Sequence, residues 1–323
     1  MRFHVLMVRF SSLGDVVIQT SVVQWLRATY GDKLRVTFVT SKEFKSLVDG
    51  HPLIHRVLCY DRKGGHLKGL ASEIVALHQE DPIHLMLDLH ATTRSTLLRW
   101  LLPTLPRLVV DKRRFERMAL VRLTGTWTKR WARWKIFGLE NQVKRLPLDW
   151  QGILMAPPVS DELPRTSTPS VPQPNHARPY VVFSPVASFA PKRWPIESFV
   201  KLAELFLAHP QFKLHDLVVV GGPEDTYCEA FNQIADPRLL NLQGKTSLKE
   251  STGWVQSAAF VVGNDSGMNH LAEARGVPCI TLFGPTHEAF GFAPYGKKSS
   301  TLSHELWCRP CSPTGKRACF RSG

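Results

Sequence analysis

Small and polar residues follow an apolar run in the C-terminal third of the chain, in the stretch Gly263-Asn264-Asp265-Ser266-Gly267-Met268-Asn269-His270. The run 260–262 is typical of a buried strand, and a helical pattern begins after it. A helix that starts at Ser266 or Gly267 leaves backbone N–H groups unpaired, and these groups together with the helix dipole favour an anion such as a diphosphate. Asp265 either caps this helix or accepts hydrogen bonds from sugar hydroxyls, and His270 lies one turn further on. A capped turn without a ligand is the alternative interpretation.

A second polar loop follows the first apolar run of the chain, residues 3–8. Ser12 and Gly14 belong to a tight turn that opens a helix, and Asp15 falls in the first turn of that helix. The dipole favours the ionised carboxylate there, and an ionised carboxylate facing a cleft can take a proton from an attacking hydroxyl. Stabilisation of the helix start is the alternative role. The loop is not a P-loop, because no Gly-Lys-Ser/Thr follows.

Three further loops end predicted strands in the second half of the chain. The first carries Ser188 and Lys192, and both can reach a diphosphate, where a lysine stabilises the leaving group. The second carries Glu224 after a Gly-Gly-Pro sequence, and its carboxylate suits the hydroxyls of a ribose. The third carries Thr286 after a Gly-Pro turn. An ordinary turn or helix start explains each loop alone, but not why such loops end strands throughout the chain.

The elements that must position these loops alternate between short apolar runs and helical patterns, which predicts βαβ units with parallel sheets. In such sheets, ligands bind at the carboxyl ends of the strands, where all the candidate loops lie. The predicted strands are 3–8, 34–39, 56–60, 84–89, 180–183, 215–220, 260–262 and 279–283. The predicted helices are 15–29, 42–49, 67–79, 196–208, 224–235 and 247–257.

Proline-rich composition interrupts this alternation at residues 156–179, which are poor in large apolar side chains and predict an extended linker. We therefore expect an N-terminal α/β domain over residues 1–155, a C-terminal one over 180–323, and a cleft between them. A length of 323 residues suits two domains with a core each. No apolar run reaches the roughly 18 residues that span a bilayer, and the N-terminus lacks a signal-peptide cleavage site, so we expect a cytoplasmic location.

The formal net charge of +14 is concentrated between residues 111 and 145, where eleven Lys or Arg stand against three Asp or Glu. Trp127, Trp131 and Trp134 are interleaved with these charges. This pattern favours an anionic membrane surface, with an amphipathic helix that buries its tryptophans as the alternative. Binding to nucleic acid is not expected, since no signature of such a protein accompanies the charge.

Three of the six cysteines cluster near the C-terminus with the spacing C-x2-C-x7-C, at Cys308, Cys311 and Cys319. A structural zinc site normally adds a second closely spaced pair, so we expect no metal. The other three cysteines fall in core-like segments.

Three motifs of this chain resemble those of glycosyltransferase family 9, the ADP-heptose:lipopolysaccharide heptosyltransferases. The resemblance implies the GT-B fold, in which two Rossmann-like domains face one another across a cleft, with the donor mainly in the C-terminal domain and the acceptor mainly in the N-terminal one. Met268 stands where many members have proline. The motifs are Ser11-Ser12-Leu13-Gly14-Asp15, Asp265-Ser266-Gly267-Met268-Asn269-His270 and Leu282-Phe283-Gly284-Pro285-Thr286.

The resemblance also implies roles for individual residues. Asp15 corresponds to the catalytic base, Lys192 to the residue that neutralises the donor diphosphate, and Glu224 to the residue that holds the ribose. The remaining donor-binding residues are Ser188, Asp265, Ser266, Gly267, His270 and Thr286. The acceptor-binding candidates follow from residue type and position and not from the resemblance, because the acceptor side of the family varies. They are Ser12 and Gly14 in the loop before Asp15, and Arg62, Lys63 and Arg94, whose charges suit acceptor phosphates or carboxylates.

The expected function is therefore an inverting transfer of a heptose from ADP-heptose to the lipopolysaccharide inner core. The resemblance implies a reaction without a metal ion. No other cofactor is expected, because ADP-heptose is a substrate. The acceptor would be an anionic lipid A core on the cytoplasmic face of the inner membrane, bound with the help of segment 111–145. We also expect the C-terminal tail to pack on the N-terminal domain. The alternatives are a nucleotide-sugar epimerase or hydrolase of the same fold, and a non-catalytic module that binds anionic membrane or nucleic acid.

Overall fold

The computed structural model describes residues 2–62, 64, 67–112, 118, 121, 166–306 and 308–319. The described residues form two compact units, one containing residues 2–112 and 166–170 and the other containing residues 171–319. Each unit holds a parallel β-sheet with helices, which confirms the predicted α/β class. Among these residues, none of the helices has the length and apolar character needed to cross a membrane.

The first unit has a sheet of parallel strands in the order β3-β2-β1-β4-β5. β1 lies at the centre, and its pairing with β4 ends at Val8 opposite Asp88. The loops that follow these two strands therefore emerge side by side. The strands are β1 Phe3–Val8, β2 Leu34–Ser41, β3 Arg56–Tyr60, β4 Leu85–Asp88 and β5 Arg107–Val109, and the helices are α1 Leu13–Tyr30, α2 Leu67–Glu80 and α3 Thr93–Leu101.

The second unit has a sheet of parallel strands in the order β11-β10-β9-β6-β7-β8. β9 lies between β6 and β10, with Gly263 opposite Ser184 and Asn264 opposite Leu282. The carboxyl ends of these three strands therefore adjoin. The strands are β6 Tyr180–Ser184, β7 Asp216–Val219, β8 Leu239–Asn241, β9 Val261–Asn264, β10 Cys279–Phe283 and β11 Ser300–Ser303, and the helices are α4 Ile196–Ala208, α5 Leu248–Gln256 and α6 Gly267–Ala274.

Apolar side chains fix both sheets. The central strands are buried along their length, as expected for parallel strands covered on both faces. A cluster in the first unit packs β1 and β4 against α2 and α3, and one in the second packs β6 and β7 against α4. Representative members are Leu6, Ile74, Met86 and Leu98 in the first cluster, and Phe183, Phe199, Leu217 and Phe231 in the second.

The predicted strands are all present, with bounds that shift by at most two residues. The helices predicted over 42–49 and 224–235 are wrong, because these segments are 3-10 turns at Lys42–Leu47 and Thr226–Gln233. Both are short connections, where the tighter 3-10 geometry is common. The sequence analysis did not predict α3 or the edge strands β5, β8 and β11, whereas the edge strand β3 was predicted. The three missed strands have three or four residues each and no fully buried position, so their apolar residues are too few to mark them clearly.

The described part of the proline-rich segment is anchored by hydrogen bonds. In the first unit, the backbone N–H of Ser167 donates to Thr20 Oγ1 over 2.8 Å, and its hydroxyl lies 2.7 Å from His51 Nε2. In the second unit, Gln256 Nε2 donates to the carbonyl of Val171 over 2.5 Å. The described residues on either side of position 170 are thus each held by their own unit.

Candidate functional site

Three side chains of the second unit meet at the carboxyl ends of β6, β9 and β10. Lys192 Nζ lies 2.7 Å from Asp265 Oδ2, and Thr286 Oγ1 donates to the same oxygen over 2.7 Å. Asp265 and Thr286 are buried, and only 16% of the Lys192 side chain is exposed. The strand register explains the meeting, since it places these three strand ends next to one another. The arrangement holds a lysine charge in a largely desolvated place, where it acts strongly on a phosphate.

Buried Asn264 fixes the loop that carries Lys192. Its Nδ2 donates to the carbonyl of Pro185 over 2.5 Å, and its Oδ1 accepts from the backbone N–H of Trp194 over 3.0 Å. The last residue of β9 therefore ties down both ends of the loop between β6 and α4. Sequence reasoning gave Asn264 no role, although a polar residue at the end of an apolar strand is the signal that marks it.

The helix α6 begins where the sequence predicts. Ser266 is its N-cap residue and Gly267 its first residue, but the Ser266 side chain does not cap the backbone. Its hydroxyl oxygen is buried and has no hydrogen-bond partner among the described residues. The unpaired N–H groups of the first turn and this hydroxyl together make a site for an anion. One turn later, the His270 ring lies 6.0 Å from that of Phe292.

The loop after β7, which contains the sequence Gly-Gly-Pro-Glu, carries two neighbouring carboxylates that have different surroundings. Asp225 is buried and accepts hydrogen bonds from the backbone N–H of Gly222 over 2.9 Å and from the hydroxyl of Tyr227 over 3.1 Å. It therefore builds the loop. Glu224 is exposed, and its carboxylate lies so close to Gly222 that a Cβ there would be 2.8 Å from Oε2. Of the two carboxylates, the exposed one is that of Glu224, and its role in binding a ribose stays a prediction. Ser188, in the loop after β6, is also exposed.

In the first unit, Asp15 lies in a network of donors at the start of α1. Its Oδ2 accepts from the backbone N–H of Ser12 over 3.2 Å and from the Ser12 hydroxyl over 2.9 Å, and Arg9 Nη2 lies 2.6 Å away. Arg9 also donates to the carbonyl of Leu89 over 2.5 Å, which links the loops after β1 and β4. Gly14 is buried in the same first turn.

These contacts keep Asp15 ionised. Partial burial favours the neutral acid, but the positive charge of Arg9 and the hydrogen bonds from Ser12 outweigh it, so the pKa of Asp15 lies below its usual range. A base in this state is free of its own proton and ready to accept another. Sequence reasoning missed Arg9, although an arginine directly after a buried strand is its signal.

A chain of aromatic contacts connects Arg94 to the loop after β1. Its guanidinium is 5.4 Å from the centre of the Tyr60 ring, and that ring is 5.3 Å from Phe10. His90 packs edge-on against Phe10, and burial, helped by the charge of Arg9, lowers the His90 pKa to about 4. The imidazole is therefore neutral at physiological pH, and Arg94 contributes a positive charge beside Tyr60.

Arg62, another predicted acceptor residue, pairs with a carboxylate of its own unit. Arg62 Nη1 lies 3.4 Å from Glu43 Oε2 and its side chain is 41% exposed. Lys63 lies outside the described residues, as does the basic segment 111–145 apart from residues 111, 112, 118 and 121.

No group of three or more His, Cys, Asp or Glu side chains within the described ranges could hold a metal ion. The three C-terminal cysteines are free thiols, with Cys308 buried, Cys311 half-buried and Cys319 exposed. Cys228 and Cys279 are buried, as predicted for core positions, whereas Cys59 is half-buried.

Two α/β units, each with a parallel sheet and polar loops at the carboxyl ends of its strands, are the architecture of the GT-B class of folds. The family model that matches residues 86–319 is that of glycosyltransferase family 9 (heptosyltransferase). The match covers more than half of the sequence, and the chain belongs to this family, as the motifs predicted.

Known relatives agree with this assignment. Lipooligosaccharide heptosyltransferase 2 of Haemophilus influenzae is 36% identical over 115 residues, which cover 34% of this chain and 32% of that relative. The aligned stretch thus spans about a third of the curated relative's length. A glycosyl transferase family 9 protein from Veillonella parvula has a TM-score of 0.73 at 18% identity, covering 93% of this chain and 87% of its own. The E. coli heptosyltransferase WaaC with ADP-2-deoxy-2-fluoro heptose has a TM-score of 0.66 at 18% identity, covering 93% of both chains. These likenesses confirm the fold class.

Proposed function

We propose that this protein is an inverting glycosyltransferase that moves a heptose from ADP-heptose onto the lipopolysaccharide inner core. The observation that carries the proposal is the Lys192–Asp265–Thr286 cluster beside the uncapped start of α6. A lysine and unpaired N–H groups are what the diphosphate of a nucleotide sugar requires. The E. coli relative with an ADP-heptose analogue supports the choice of donor.

The donor half of the reaction uses the second unit. The N–H groups at the start of α6 and the Ser266 hydroxyl bind diphosphate oxygens, and the exposed Glu224 carboxylate accepts hydrogen bonds from the ribose hydroxyls. As the bond between the anomeric carbon and the phosphate oxygen breaks, negative charge grows on ADP. Lys192 neutralises that charge, so ADP leaves without the aid of a metal ion.

The acceptor half uses Asp15. Its ionised carboxylate takes the proton from an acceptor hydroxyl while the oxygen attacks the anomeric carbon from the face opposite ADP. The new glycosidic bond forms as the bond to ADP breaks, so the configuration inverts. Arg94, together with Arg62 and Lys63, supplies positive charge for phosphate or carboxylate groups of the acceptor. The acceptor is the anionic core of lipid A, and the basic segment 111–145 would hold the protein at the cytoplasmic face of the inner membrane.

The test is a transfer assay with ADP-heptose and truncated lipopolysaccharides, read by the mass of the product. We expect one acceptor to gain the mass of a single heptose, with release of ADP and inverted anomeric configuration by NMR. Consumption of ADP-heptose at the same rate without acceptor would identify a hydrolase or epimerase instead. Failure to bind ADP in calorimetry would favour a non-catalytic binding module.

A further inference from the structure

The C-terminal loop, residues 308–319, holds the turn at Gly284-Pro285-Thr286 through all three of its carbonyl groups. Arg309 Nε donates to the carbonyls of Gly284 and Thr286, each over 2.9 Å. The backbone N–H groups of Cys311 and Ser312 donate to the carbonyl of Pro285 over 3.1 and 3.3 Å. Arg309 is buried, so these bonds are shielded from water. The turn that carries Thr286 is therefore held by a separate segment of the chain, the C-terminal loop.

The same loop also packs against Lys192. The Ser312 hydroxyl accepts from the backbone N–H of Gly315 over 2.8 Å, and this turn gives Gly315 a φ of +80°. Buried Gly315 lies directly against the alkyl chain of Lys192, so that a Cβ at this position would overlap Cγ and Cδ of the lysine. Next to it, Lys316 Nζ lies 5.2 Å from the centre of the Phe189 ring, at the start of the Lys192 turn.

The C-terminal loop therefore contacts both Thr286 and Lys192, the side chains that pair with the Asp265 carboxylate. Arg309 donates to the Thr286 carbonyl, and Gly315 lies against the methylene groups of Lys192. We infer that the C-terminal loop is a positioning element of the donor site, in which Gly315 and Arg309 set where the Lys192 charge meets the donor's second phosphate. The inference rests on the proposed role of Lys192.

The chain offers a matched pair of variants to test this. Gly315→Ala adds a Cβ that must displace Lys192, at a φ of +80°, whereas Gly276→Ala adds one at a φ of +72° where no atom lies within 4 Å. Both variants carry a similar backbone strain, but only the first moves the lysine. The melting temperatures of both are measured, so that binding is compared between folded proteins.

The readout is the ratio of ADP to AMP affinity in calorimetry, because AMP lacks the second phosphate. We expect Lys192→Ala to lower the wild-type preference for ADP about tenfold, as loss of a charge-assisted contact does. Gly315→Ala should lower it by a similar factor with AMP affinity unchanged, and Gly276→Ala should keep the wild-type ratio. Arg309→Ala should lower the preference as well, and Arg309→Lys should restore part of it.

Different results would contradict the proposed role of Lys192 and the inference about the C-terminal loop. If Lys192→Ala leaves the ADP preference unchanged, the proposed role of Lys192 is wrong. If Lys192→Ala lowers it but Gly315→Ala stays within twofold of the wild-type ratio, the C-terminal loop does not position the lysine and the inference is overturned. An equal loss of ADP and AMP affinity in Gly315→Ala would show general damage to the fold and would also overturn it.

Discussion

Arg9 and Asp15 form an ion pair at the end of the first strand, with Arg9 Nη2 2.6 Å from Asp15 Oδ2. The pair stabilises the carboxylate that the proposed mechanism needs, but it also weakens that carboxylate as a base. Arg9 in turn donates to the Leu89 carbonyl at the end of the neighbouring strand β4. The protonation state of Asp15 thus depends on the pairing of two strands that are far apart in sequence.

Replacing Asp15 by Asn should abolish the base while keeping an oxygen that can accept from Ser12. We expect kcat to fall by about 100- to 10,000-fold, the usual contribution of a general base, with ADP affinity unchanged. Calorimetry and the transfer assay measure the two quantities. Asp32→Asn removes an exposed carboxylate at the end of α1 and should leave both unchanged. Wild-type turnover by Asp15→Asn would rule out this base.

Removing the charge of Arg9 should change the pH profile of transfer. Arg9 lowers the pKa of Asp15, so Arg9→Gln raises it, and protonation then inactivates the base at a higher pH. We expect the acid limb of kcat/KM to move to higher pH. Arg9→Lys keeps the charge and should move the limb less. An acid limb that stays in place in Arg9→Gln would show that Asp15 does not set it.

Lys192→Ala should lower kcat about 100- to 1,000-fold, as loss of a group that stabilises the leaving charge does. Added Mg²⁺ should not restore activity, and EDTA should leave the wild-type enzyme unaffected. Lys201→Ala, on the exposed face of α4, is the control and should keep wild-type activity. Loss of wild-type activity in EDTA, with recovery on adding a divalent ion, would contradict a metal-independent reaction.

Glu224 should recognise the ribose of the donor. Wild-type protein should bind ADP more tightly than 2′-deoxy-ADP, and Glu224→Ala should reduce this difference by about tenfold because a charge-assisted hydrogen bond is lost. Glu229→Ala, an exposed carboxylate further along the same segment, should keep the difference. Equal discrimination by Glu224→Ala and wild type in competition binding would assign the ribose to another residue.

His51 should make the protein less stable in mild acid. Burial lowers the His51 pKa from 6.5 to about 4, and its neutral Nδ1 accepts from the backbone N–H of Leu53 over 3.1 Å. Between these values the unfolded chain binds the additional proton, so stability falls as the pH drops from 6.5 towards 4. Our expectation for the His51 contribution is a loss of about 2 kcal/mol at pH 5.

Urea unfolding at pH 7 and pH 5 measures this change in the free energy of unfolding. His51→Gln cannot titrate, so the difference between the two pH values should shrink by that amount. His304→Gln, at an exposed position, should leave it as in the wild type. The same pH dependence in His51→Gln and wild type would exclude His51 as its source.

Local patterns in the sequence were enough to determine the fold class, the central strands and the start of α6. Hydrophobic periodicity and small residues at strand ends are properties of neighbouring residues, and they carry this information without tertiary contacts. They also marked Asp15, Lys192, Glu224 and Asp265 as candidates. The edge strands β5, β8 and β11 were not predicted, because their short and partly exposed segments hold too few apolar residues.

Tertiary structure alone decided which side chains act together. Arg9 meets Asp15 and reaches Leu89, Asn264 closes the Lys192 loop, and Gly315 packs on Lys192 only after strands distant in sequence have paired. Burial surrounds the Lys192–Asp265 pair in the second unit and lowers the pKa of His90 in the first. In each case the burial arises from the packing of the whole unit and not from a single segment. Residue types alone do not reveal partners that chain folding brings together from 80 or more positions apart, as the contact between Arg9 and Leu89 illustrates.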